Sequence, residues 1–412
     1  MKDSGISWVG EIPKKWSVWR NKYIFKITKD IVLPSKNYQL LSLTTTGIKE
    51  KDENDNGGKV PENYDGYQVV KENDLVMCLF DLDCSAVFSG LSPYNGMISP
   101  AYKVLKVKKR IANEQYYRYW FNYVGSKRFY KQYSKSLRFT LNADEFNRLF
   151  SLLPPLDEQQ RIAEFLDREC GKIDGLKADI QAQIDTLEQY KRSVITEAVT
   201  HGLNPSAPMK DSGIPWVGQF PTHWTKKKGK YILRYMSKPV KQDDGVITCF
   251  RDGEVTLRSN RREDGFTMAD KEIGYQGVDV GDLVVHGMDG FAGAIGISDS
   301  RGKASPVLNV LNTKQNKKYI MYYLRSMAYG DVFTALSTGI RVRSCDLRWN
   351  KLAELLYPLP PIDEQNNIVN YIDEQIARTN EIIADKKSQI ETLDGYKKSL
   401  IYEYVTGKKE VG

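Results

Sequence analysis

Two similar stretches of the chain decide its fold. LPPLDEQQRIAEFLD occupies residues 153–167, and LPPIDEQNNIVNYID occupies residues 359–373, 206 positions later. In both, two prolines block an upstream helix and stiffen the approach to the residues that follow. Asp157 predicts an N-cap, with Gln160 three positions on completing a capping box that Asn366 weakens in the second copy. Each stretch therefore predicts a rigid exit from a globular domain into a long helix.

The duplication covers more than these stretches. MKDSGISWVGEIPKKW begins at Met1 and MKDSGIPWVGQFPTHW at Met209, with 11 of 16 positions identical. IDTLEQYKRSVITEAVT at residues 184–200 likewise matches IETLDGYKKSLIYEYVT at residues 390–406. The chain is thus two units of about 206 residues, a period too long for a solenoid repeat.

Other segments differ between the copies. TTTGIKEKDENDNGGK at residues 44–59 stands where RDGEVTLRSNRREDG stands at residues 251–265. One interpretation is that cores stay alike while loops drift. The other is that matched segments serve one common partner, while divergent segments recognise two different targets. The repeated MKDSGI favours the second interpretation, because core packing rarely demands exposed lysine and aspartate.

Composition narrows the class of protein. The chain has 412 residues, of which 41% are hydrophobic, and it contains no run of about 18 apolar residues that would predict a membrane span. Its first residues lack the apolar core of a signal peptide. Five scattered cysteines without a CxxC pair predict neither a disulfide framework nor a zinc site. We expect a cytoplasmic protein of two or three domains that binds no metal.

The net charge is +8, with a sequence pI near 8.9. This excess suits a polyanionic partner such as DNA. On charge alone, a merely solvated basic surface explains it equally well.

Apolar residues recur every seven positions after each proline pair, which is typical of a coiled-coil seam. A second column of the seam carries lysines (Lys177, Lys191, Lys386 and Lys397), so neither helix is expected to bury its seam alone. Pairing of the two helices completes the burial, and two separate helices, each lying on its own domain, are the alternative. The predicted helix-pair core consists of Leu166, Ile173, Ile180, Leu187, Val194, Val369, Ile372, Ile376, Ile383, Ile390, Leu393 and Leu400.

The segments before each helix predict mixed α and β structure. YQVV, DLVMCLF and AYKVLKV in the first copy are rich in β-branched and aromatic residues and are predicted strands. EQYYRYWFNYV at residues 114–124 and KYIMYYLRSM at residues 318–327 are predicted helices. The predicted fold class is α+β, with two duplicated globular domains joined by two long antiparallel helices in a pseudo-twofold arrangement.

Basic residues alternate with aromatic rings in SKRFYKQYSKSLRF at residues 126–139. Such cations can reach phosphates, and arginine can bind guanine through two hydrogen bonds. A solvated helix face is the bland explanation for any single residue. The candidate DNA-binding residues of both copies are Lys127, Arg128, Lys131, Lys135, Arg138, Arg258, Arg261, Arg262, Arg341 and Arg343.

No catalytic motif stands out. GISDSRGKAS at residues 296–305 departs from a P-loop in glycine spacing and in Ala304. NPSA at residues 204–207 lacks the second proline and the aromatic residue of an amino-methyltransferase motif. We therefore expect no catalytic residue, no cofactor and no metal.

Taken together, the motifs resemble the specificity subunit of type I restriction–modification systems. KDSGIxWVGxxPxxW, LPPLDEQ, LPPIDEQ and the paired LxxYKxSxIxExVT helices carry the resemblance, which covers essentially the whole chain. It implies a first target-recognition domain at residues 1–152 and a first helical spacer at 153–203. A second target-recognition domain follows at 204–356 and a second spacer at 357–412.

The resemblance also implies a function. Each recognition domain would read one half of a bipartite, asymmetric double-stranded DNA site, and the paired helices would fix the gap. Two methylation subunits that bind S-adenosylmethionine would dock on the helices, and whether restriction subunits join them is left open. The chain itself would not be an enzyme. A methyltransferase with a degenerate cofactor motif and a tandem protein-binding scaffold are the alternatives from other classes.

Overall fold

The structure is a computed structural model that describes residues 1–32, 38–51, 64, 66–261, 273–336 and 347–411. It contains two compact units. Unit 1 comprises Met1–Ile180 with Ser388–Gly412, and unit 2 comprises Gln181–Lys387. Within the described ranges, no helix is both long and apolar enough to cross a membrane.

The elements of unit 1 follow the predicted alternation of strands and helices. Its strands are β1 (Lys2–Asp3), β2 (Glu11–Ile12), β3 (Ser17–Arg20), β4 (Phe25–Thr28), β5 (Leu41–Thr44), β6 (Gly47–Glu50), β7 (Gln68–Val70), β8 (Leu75–Met77), β9 (Ser89–Leu91), β10 (Gly96–Ile98), β11 (Lys103–Val107) and β12 (Phe150–Leu153). Its helices are α1 (Asn21–Ile24), α2 (Glu114–Ser126), α3 (Ala143–Arg148), a 3-10 helix at Phe129–Tyr133 and the first part of α4 (Leu156–His201).

An antiparallel four-stranded sheet in the order β4-β11-β8-β9 organises unit 1. Its strands place Leu75, Met77 and Leu105 in the main core, which α2 covers with Trp120 and Phe121. Two-stranded pairs β1-β2, β3-β12, β5-β6 and β7-β10 surround the sheet. The three predicted strands and the predicted helix of this half are confirmed.

Unit 2 repeats this plan. Its strands are β13 (Met209–Asp211), β14 (Gln219–Pro221), β15 (Thr225–Lys228), β16 (Leu233–Tyr235), β17 (Ile247–Cys249), β18 (Val255–Leu257), β19 (Gln276–Val278), β20 (Leu283–His286), β21 (Ile295–Ile297), β22 (Gly302–Ala304), β23 (Leu308–Thr313) and β24 (Leu356–Leu359). Its helices are α5 (Lys317–Tyr329), α6 (Val332–Ala335), α7 (Trp349–Glu354), the 3-10 helices Gly229–Tyr231, Arg258–Asn260 and Gly290–Ala292, the end of α4 and the first part of α8 (Ile362–Val405).

The sheet order of unit 2 is β16-β23-β20-β21, the counterpart of the order in unit 1, and its strand pairs β13-β14, β15-β24, β17-β18 and β19-β22 also correspond. Helix α5 is the second predicted helix, and its Tyr319 and Tyr323 are fully buried. The duplication seen in sequence is therefore a duplication of topology.

The two long helices have 46 and 44 residues. In unit 1, α4 contacts α8 through Asp174 with Lys397 and Lys177 with Asp394. As residue numbers rise on α4 they fall on α8, so the helices are antiparallel there. The predicted α+β fold with antiparallel long helices is confirmed.

Candidate DNA interface and helix pair

The basic segment of unit 1 forms the 3-10 helix Phe129–Tyr133 and a loop up to Thr140, rather than one continuous helix face. All five candidate cations of this segment, Lys127, Arg128, Lys131, Lys135 and Arg138, are exposed. Three of them (Lys127, Arg128 and Lys131) line an open concavity of about 480 Å³. The segment therefore presents a cationic surface to solvent.

Two aromatic rings of this segment, Phe129 and Tyr130, point inward. Phe129 stacks on Trp8 with ring centroids 4.2 Å apart, and Tyr130 is buried beside Phe88. The alternation in sequence thus has a packing cause in part, because Phe129 and Tyr130 anchor the segment to the core of unit 1 and leave the cations outside, whereas Tyr133 is exposed and Phe139 lies beneath the Lys131 ammonium.

The loop that follows the 3-10 helix is stabilised by an ion pair to a neighbouring segment, and it contains one residue with an unusual backbone conformation. Arg138 donates from Nε and Nη2 to the two carboxylate oxygens of Asp81, each at 3.1 Å. Phe139 has a φ of 44°, a backbone conformation that a bulky residue rarely adopts. The pair with Asp81 thus orients an Arg138 guanidinium that remains exposed, and the neighbouring Leu137 at the loop tip is fully exposed.

Unit 2 differs from unit 1 in how its candidate cations are paired. Arg261 forms ion pairs with Asp252 at 2.6 Å and Glu254 at 3.0 Å, and its guanidinium lies over the Phe250 ring. Arg258 donates to the Thr248 hydroxyl at 3.4 Å. The remaining candidates, Arg262, Arg341 and Arg343, lie outside the described residues.

A pocket of about 680 Å³ in unit 2 contains Arg258 and Arg261, together with Arg251, His286 and Cys249. Sequence reasoning missed Arg251, which pairs with Asp289 at 2.9 Å. Burial raises the pKa of the Cys249 thiol to about 12, and burial also lowers the pKa of His286. A thiol that stays protonated is a poor nucleophile, so this pocket suits binding rather than covalent chemistry.

In the described part of the chain, no group of three or more His, Cys, Asp or Glu residues could hold a metal ion.

None of the twelve predicted helix-pair residues is exposed. Six are buried: Leu166, Ile173, Val369, Ile372, Ile383 and Leu400. Six are partly buried: Ile180, Leu187, Val194, Ile376, Ile390 and Leu393. Ile184 and Thr379, which the sequence prediction missed, are also buried.

The four seam lysines each reach a polar group on the other helix. In unit 1, Lys177 pairs with Asp394, and Lys397 pairs with both carboxylate oxygens of Asp174 at 2.7 Å. In unit 2, Lys191 donates to the Asn380 amide oxygen at 2.8 Å, and Lys386 donates to the Gln183 amide oxygen. These contacts explain why lysine is tolerated in the seam. The aliphatic part of each lysine lies against the other helix, while its ammonium group reaches a polar side chain at the edge of that helix.

A buried glutamine in each repeated stretch joins the long helix to the globular part. The side chain of Gln159 accepts a hydrogen bond from the Asn113 N–H at 2.8 Å and donates to the Ile111 and Pro154 carbonyls, both at 2.9 Å. Asn113 is the N-cap of α2. The amide thus fixes the start of α2 against the start of α4.

The second copy has the same joint. The side chain of Gln365 accepts from the N–H of Asn316, the N-cap of α5, at 3.0 Å and donates to the Pro360 carbonyl at 2.9 Å. Both glutamines are fully buried. The repeated phrase therefore has an internal structural role that its sequence did not reveal, because the helix N-cap that each glutamine contacts lies 46 or 49 residues away.

The predicted N-cap at Asp157 is wrong by two residues. Helix α4 begins at Leu156, so Pro155 occupies the N-cap position. Asp157 therefore lies inside the first turn, where its carboxylate complements the helix dipole and pairs with Arg161 at 3.8 Å. In copy two, Asp363 likewise lies in the first turn of α8.

The repeated MKDSGI segment also forms hydrogen bonds within its own turn. The Asp3 carboxylate accepts the Gly5 N–H at 3.0 Å, and Gly5 has a φ of 70°, which favours glycine. Asp211 and Gly213 form the same turn in unit 2, at 2.8 Å. The exposed aspartate thus has a local structural cause, so its repetition alone does not indicate a common partner.

Comparison with known proteins agrees with this geometry. No protein-family model matches the chain. The chain has the α+β fold of type I specificity subunits. A chain from a structural study of complex assembly and conformational transition in the type I restriction–modification system covers 97% of this chain, over 100% of its own length, with a TM-score of 0.66 and 13% identity. The HsdS subunit from Thermoanaerobacter tengcongensis covers 99%, over 100% of its own length, with a TM-score of 0.50 and 14% identity.

A sequence relative points to the same class. The putative type I restriction enzyme MjaX specificity subunit of Methanocaldococcus jannaschii is 22% identical over 441 residues, covering 98% of this chain and 96% of the relative. The resemblance to type I specificity subunits is thereby confirmed over the full length of the chain. The comparisons support the interpretation of this chain as a specificity subunit of a type I restriction–modification system.

Proposed function

We propose that the chain is the DNA-recognition subunit of a type I restriction–modification complex. Residues 1–152 and 204–356 are each a target-recognition domain that reads one half of a bipartite, asymmetric DNA site. Residues 153–203 and 357–412 form spacers that set the gap and dock two methylation subunits. The chain is not catalytic by itself.

One observation carries the proposal: two domains of the same topology present different charged surfaces. The sheet orders correspond strand for strand. Unit 1 exposes Lys127, Arg128 and Lys131 around a concavity, whereas unit 2 gathers Arg258 and Arg261 in a pocket beside acidic residues. Exposed cations favour phosphate contacts, while an arginine held by carboxylates, as Arg261 is, is oriented for directional hydrogen bonds. Two such surfaces in one chain suit two different DNA sequences.

The experiment is to map methylated bases in DNA from cells that contain this chain together with the methylation subunit of its system. We expect modification at a two-part site whose halves have different sequences, and no methylation or cleavage by the purified chain alone. Methyl transfer by the lone chain would contradict the proposal.

The spacer part of the proposal has its own test. One heptad added to each long helix keeps the seam in phase and lengthens it by about 10 Å. DNA rises about 3.4 Å per base pair, so the gap should grow by about three base pairs while both half-sites stay unchanged. Three base pairs also rotate one half-site by roughly 100°, so we expect reduced activity as well. Selection of sites from random DNA measures the gap, and an unchanged gap would show that the helices do not set it.

A further inference from the structure

An aspartate holds an exposed arginine at the same place in both units. YQVVKENDLVM at residues 67–77 matches YQGVDVGDLVV at residues 275–285, and Asp81 and Asp289 each lie four positions beyond these segments. Of the seven residues that follow each segment, this aspartate alone is identical in the two copies. Its carbonyl accepts an N–H from three positions on, at 3.1 Å in unit 1 and at 2.9 Å in unit 2. The aspartate is therefore retained in a turn where its neighbours have diverged.

The arginine that each aspartate holds comes from a different segment of its unit. In unit 1 it is Arg138, in the loop after the 3-10 helix, which donates from Nε and Nη2 at 3.1 Å. In unit 2 it is Arg251, two positions after strand β17, which donates from Nη2 to Asp289 at 2.9 Å. The equivalent positions of the other copy are Thr45 and Ser344, so neither arginine belongs to the duplication. The two units therefore make the same ion pair by different routes.

Stabilisation of the fold does not explain these pairs. The Arg138 side chain is 79% exposed and the Arg251 side chain 66%. An ion pair between exposed side chains gains little over the water that it displaces. A requirement of the shared fold would also be met by the same segment in both copies. The pairs therefore point to a use for the arginines outside the chain.

The carboxylate orients the guanidinium and leaves donors that face solvent. A guanidinium has five N–H groups in one plane, and Asp81 engages the Nε–Nη2 edge of Arg138. The Nη1–Nη2 edge faces away from that carboxylate and carries two N–H groups side by side. In unit 2, Asp289 engages a single Nη2 donor of Arg251. Two donors side by side match the O6 and N7 acceptors on the major-groove edge of guanine.

In unit 2 the aspartate is itself held by a histidine. The His286 Nδ1 accepts the Asp289 N–H at 2.9 Å and the Met288 N–H at 3.2 Å, so the neutral ring carries its proton on Nε2. Burial lowers the pKa of His286, which keeps the ring in this neutral form near pH 7. Arg251 is therefore presented from a fixed turn.

Further cations lie beside each pair. Arg138 belongs to the same segment as Lys131, whose ammonium lies 4.5 Å from the centroid of the Phe139 ring next to Arg138. In unit 2, Arg251 lines one pocket with Arg258 and Arg261. Phosphate contacts fix the register of a protein on DNA, and base contacts supply its sequence preference. Each held arginine thus lies where neighbouring cations can place it against base edges.

We propose that Arg138 and Arg251 each read a guanine, one in each half-site, and that Asp81 and Asp289 position them. This inference rests on the proposed function and names a base that each surface recognises. Guanine fits because it alone offers two acceptors on its major-groove edge, whereas adenine would set its amino donor against an arginine N–H. The two half-sites therefore share a requirement for a G·C pair, although their sequences differ.

The test uses the full chain in complex with the methylation subunit of its system. Methylated sites in DNA from cells that contain the complex identify both half-sites. Fluorescence anisotropy with duplexes that differ by one base pair then measures discrimination at each position. Arg251→Lys should lower discrimination at one G·C pair of one half-site about 10- to 100-fold, and Arg138→Lys should do so in the other half-site. Lysine keeps the charge but lacks the two side-by-side donors.

The matched controls are Arg148→Lys in unit 1 and Arg234→Lys in unit 2, at exposed positions outside these pairs. They should leave the preference at every position unchanged. Circular dichroism should show the same helix content in all variants, because every altered arginine is exposed.

Asp289→Asn separates positioning from charge. Removal of a negative charge should tighten binding to unrelated DNA, while the released guanidinium should lower discrimination at the same G·C pair that Arg251 reads. A merely structural ion pair would not lower that discrimination. Arg251→Lys combined with Asp289→Asn should lose no more discrimination than Arg251→Lys alone, because the aspartate acts through the arginine.

Four results would overturn the inference. Lysine variants that discriminate as the unaltered complex does would place base reading elsewhere, and variants that weaken binding to all sequences alike would make these arginines phosphate contacts. Loss of discrimination at an A·T pair would contradict the assignment of guanine. These three results leave the proposed function intact, whereas an unaltered complex that modifies no two-part site would overturn the proposed function as well.

Discussion

The buried glutamine contacts at the start of each long helix are the same in the two units, whereas the charged surfaces of the units differ. Gln159 and Gln365 make the same contacts to a proline carbonyl and to the N-cap of a neighbouring helix. The turns at Asp74 and Asp282 also match, since each carboxylate accepts a backbone N–H three positions earlier. Yet residue 71 is lysine in the first turn, and its counterpart in the second is Asp279.

The surroundings of these two turns then diverge. In unit 1, burial raises the pKa of Asp74. In unit 2, Lys238 and then Arg301 lower the pKa of Asp279 to about 2 through hydrogen bonds. The same turn thus carries a cation, Lys71, in unit 1 and in unit 2 a carboxylate, Asp279, that pairs with Lys238 and Arg301. Charged surfaces can therefore differ while the backbone stays the same.

The largest effect is expected at the joint. Gln159→Ala leaves the Asn113 N–H and two carbonyls without their partner, so we expect it to lower the free energy of unfolding by about 2–4 kcal/mol. Gln160→Ala is the matched control: its side chain is exposed, and the change should stay within about 0.5 kcal/mol. Denaturant titration measures both, and equal small losses would show that the joint does not depend on the buried amide.

A smaller effect is expected at the cationic surface of unit 1. Replacing Lys127, Arg128 and Lys131 by glutamine should weaken DNA binding by the complex about 10- to 100-fold for all sequences. It should also reduce the slope of the logarithm of the binding constant against the logarithm of salt concentration by about 2–3 in magnitude, because phosphate contacts release counterions.

The matched control for this triple variant removes the same charge at the exposed Lys2, Lys14 and Lys26. Equal salt slopes in the triple variant and in the unaltered complex would place this surface away from DNA.

The smallest effect concerns acid stability in unit 2. Arg301 donates to the buried Asp244 at 2.8 and 3.0 Å and also pairs with Asp279, and it lowers the pKa of Asp244. A carboxyl whose pKa is lowered by folding stabilises the fold above its unfolded value of about 3.9, and this contribution is lost as pH falls towards the folded value.

Arg301→Gln should therefore cost about 1–2 kcal/mol at pH 7, and the cost should shrink as pH falls from about 5 towards 2. Arg251→Gln is the control, since its single partner Asp289 is partly exposed and its loss should stay within about 0.5 kcal/mol. Denaturant titrations of both variants at pH 7 and pH 3 check this, and a cost for Arg301→Gln that is independent of pH would contradict the assignment.

Sequence reasoning succeeded where the pattern is local. The seven-residue spacing from Leu166 to Val194 predicted buried and partly buried positions, and β-branched runs predicted strands such as Lys103–Val107. Sequence reasoning missed Gln159 because its partners, Ile111 and Asn113, become neighbours only in the fold. The sequence named Arg138 as a candidate DNA-binding residue, but it gave no sign of the ion pair with Asp81, 57 positions away.

The central claim is that divergent surfaces read different DNA while matched parts serve both halves. The direct test is to replace residues 20–150 with the equivalent region of another type I specificity subunit and to map methylated sites in the presence of the methylation subunit. The account predicts that one half-site changes while the other half-site and the gap stay as they were. A change in both half-sites would contradict it, because the two domains would then share one reading surface.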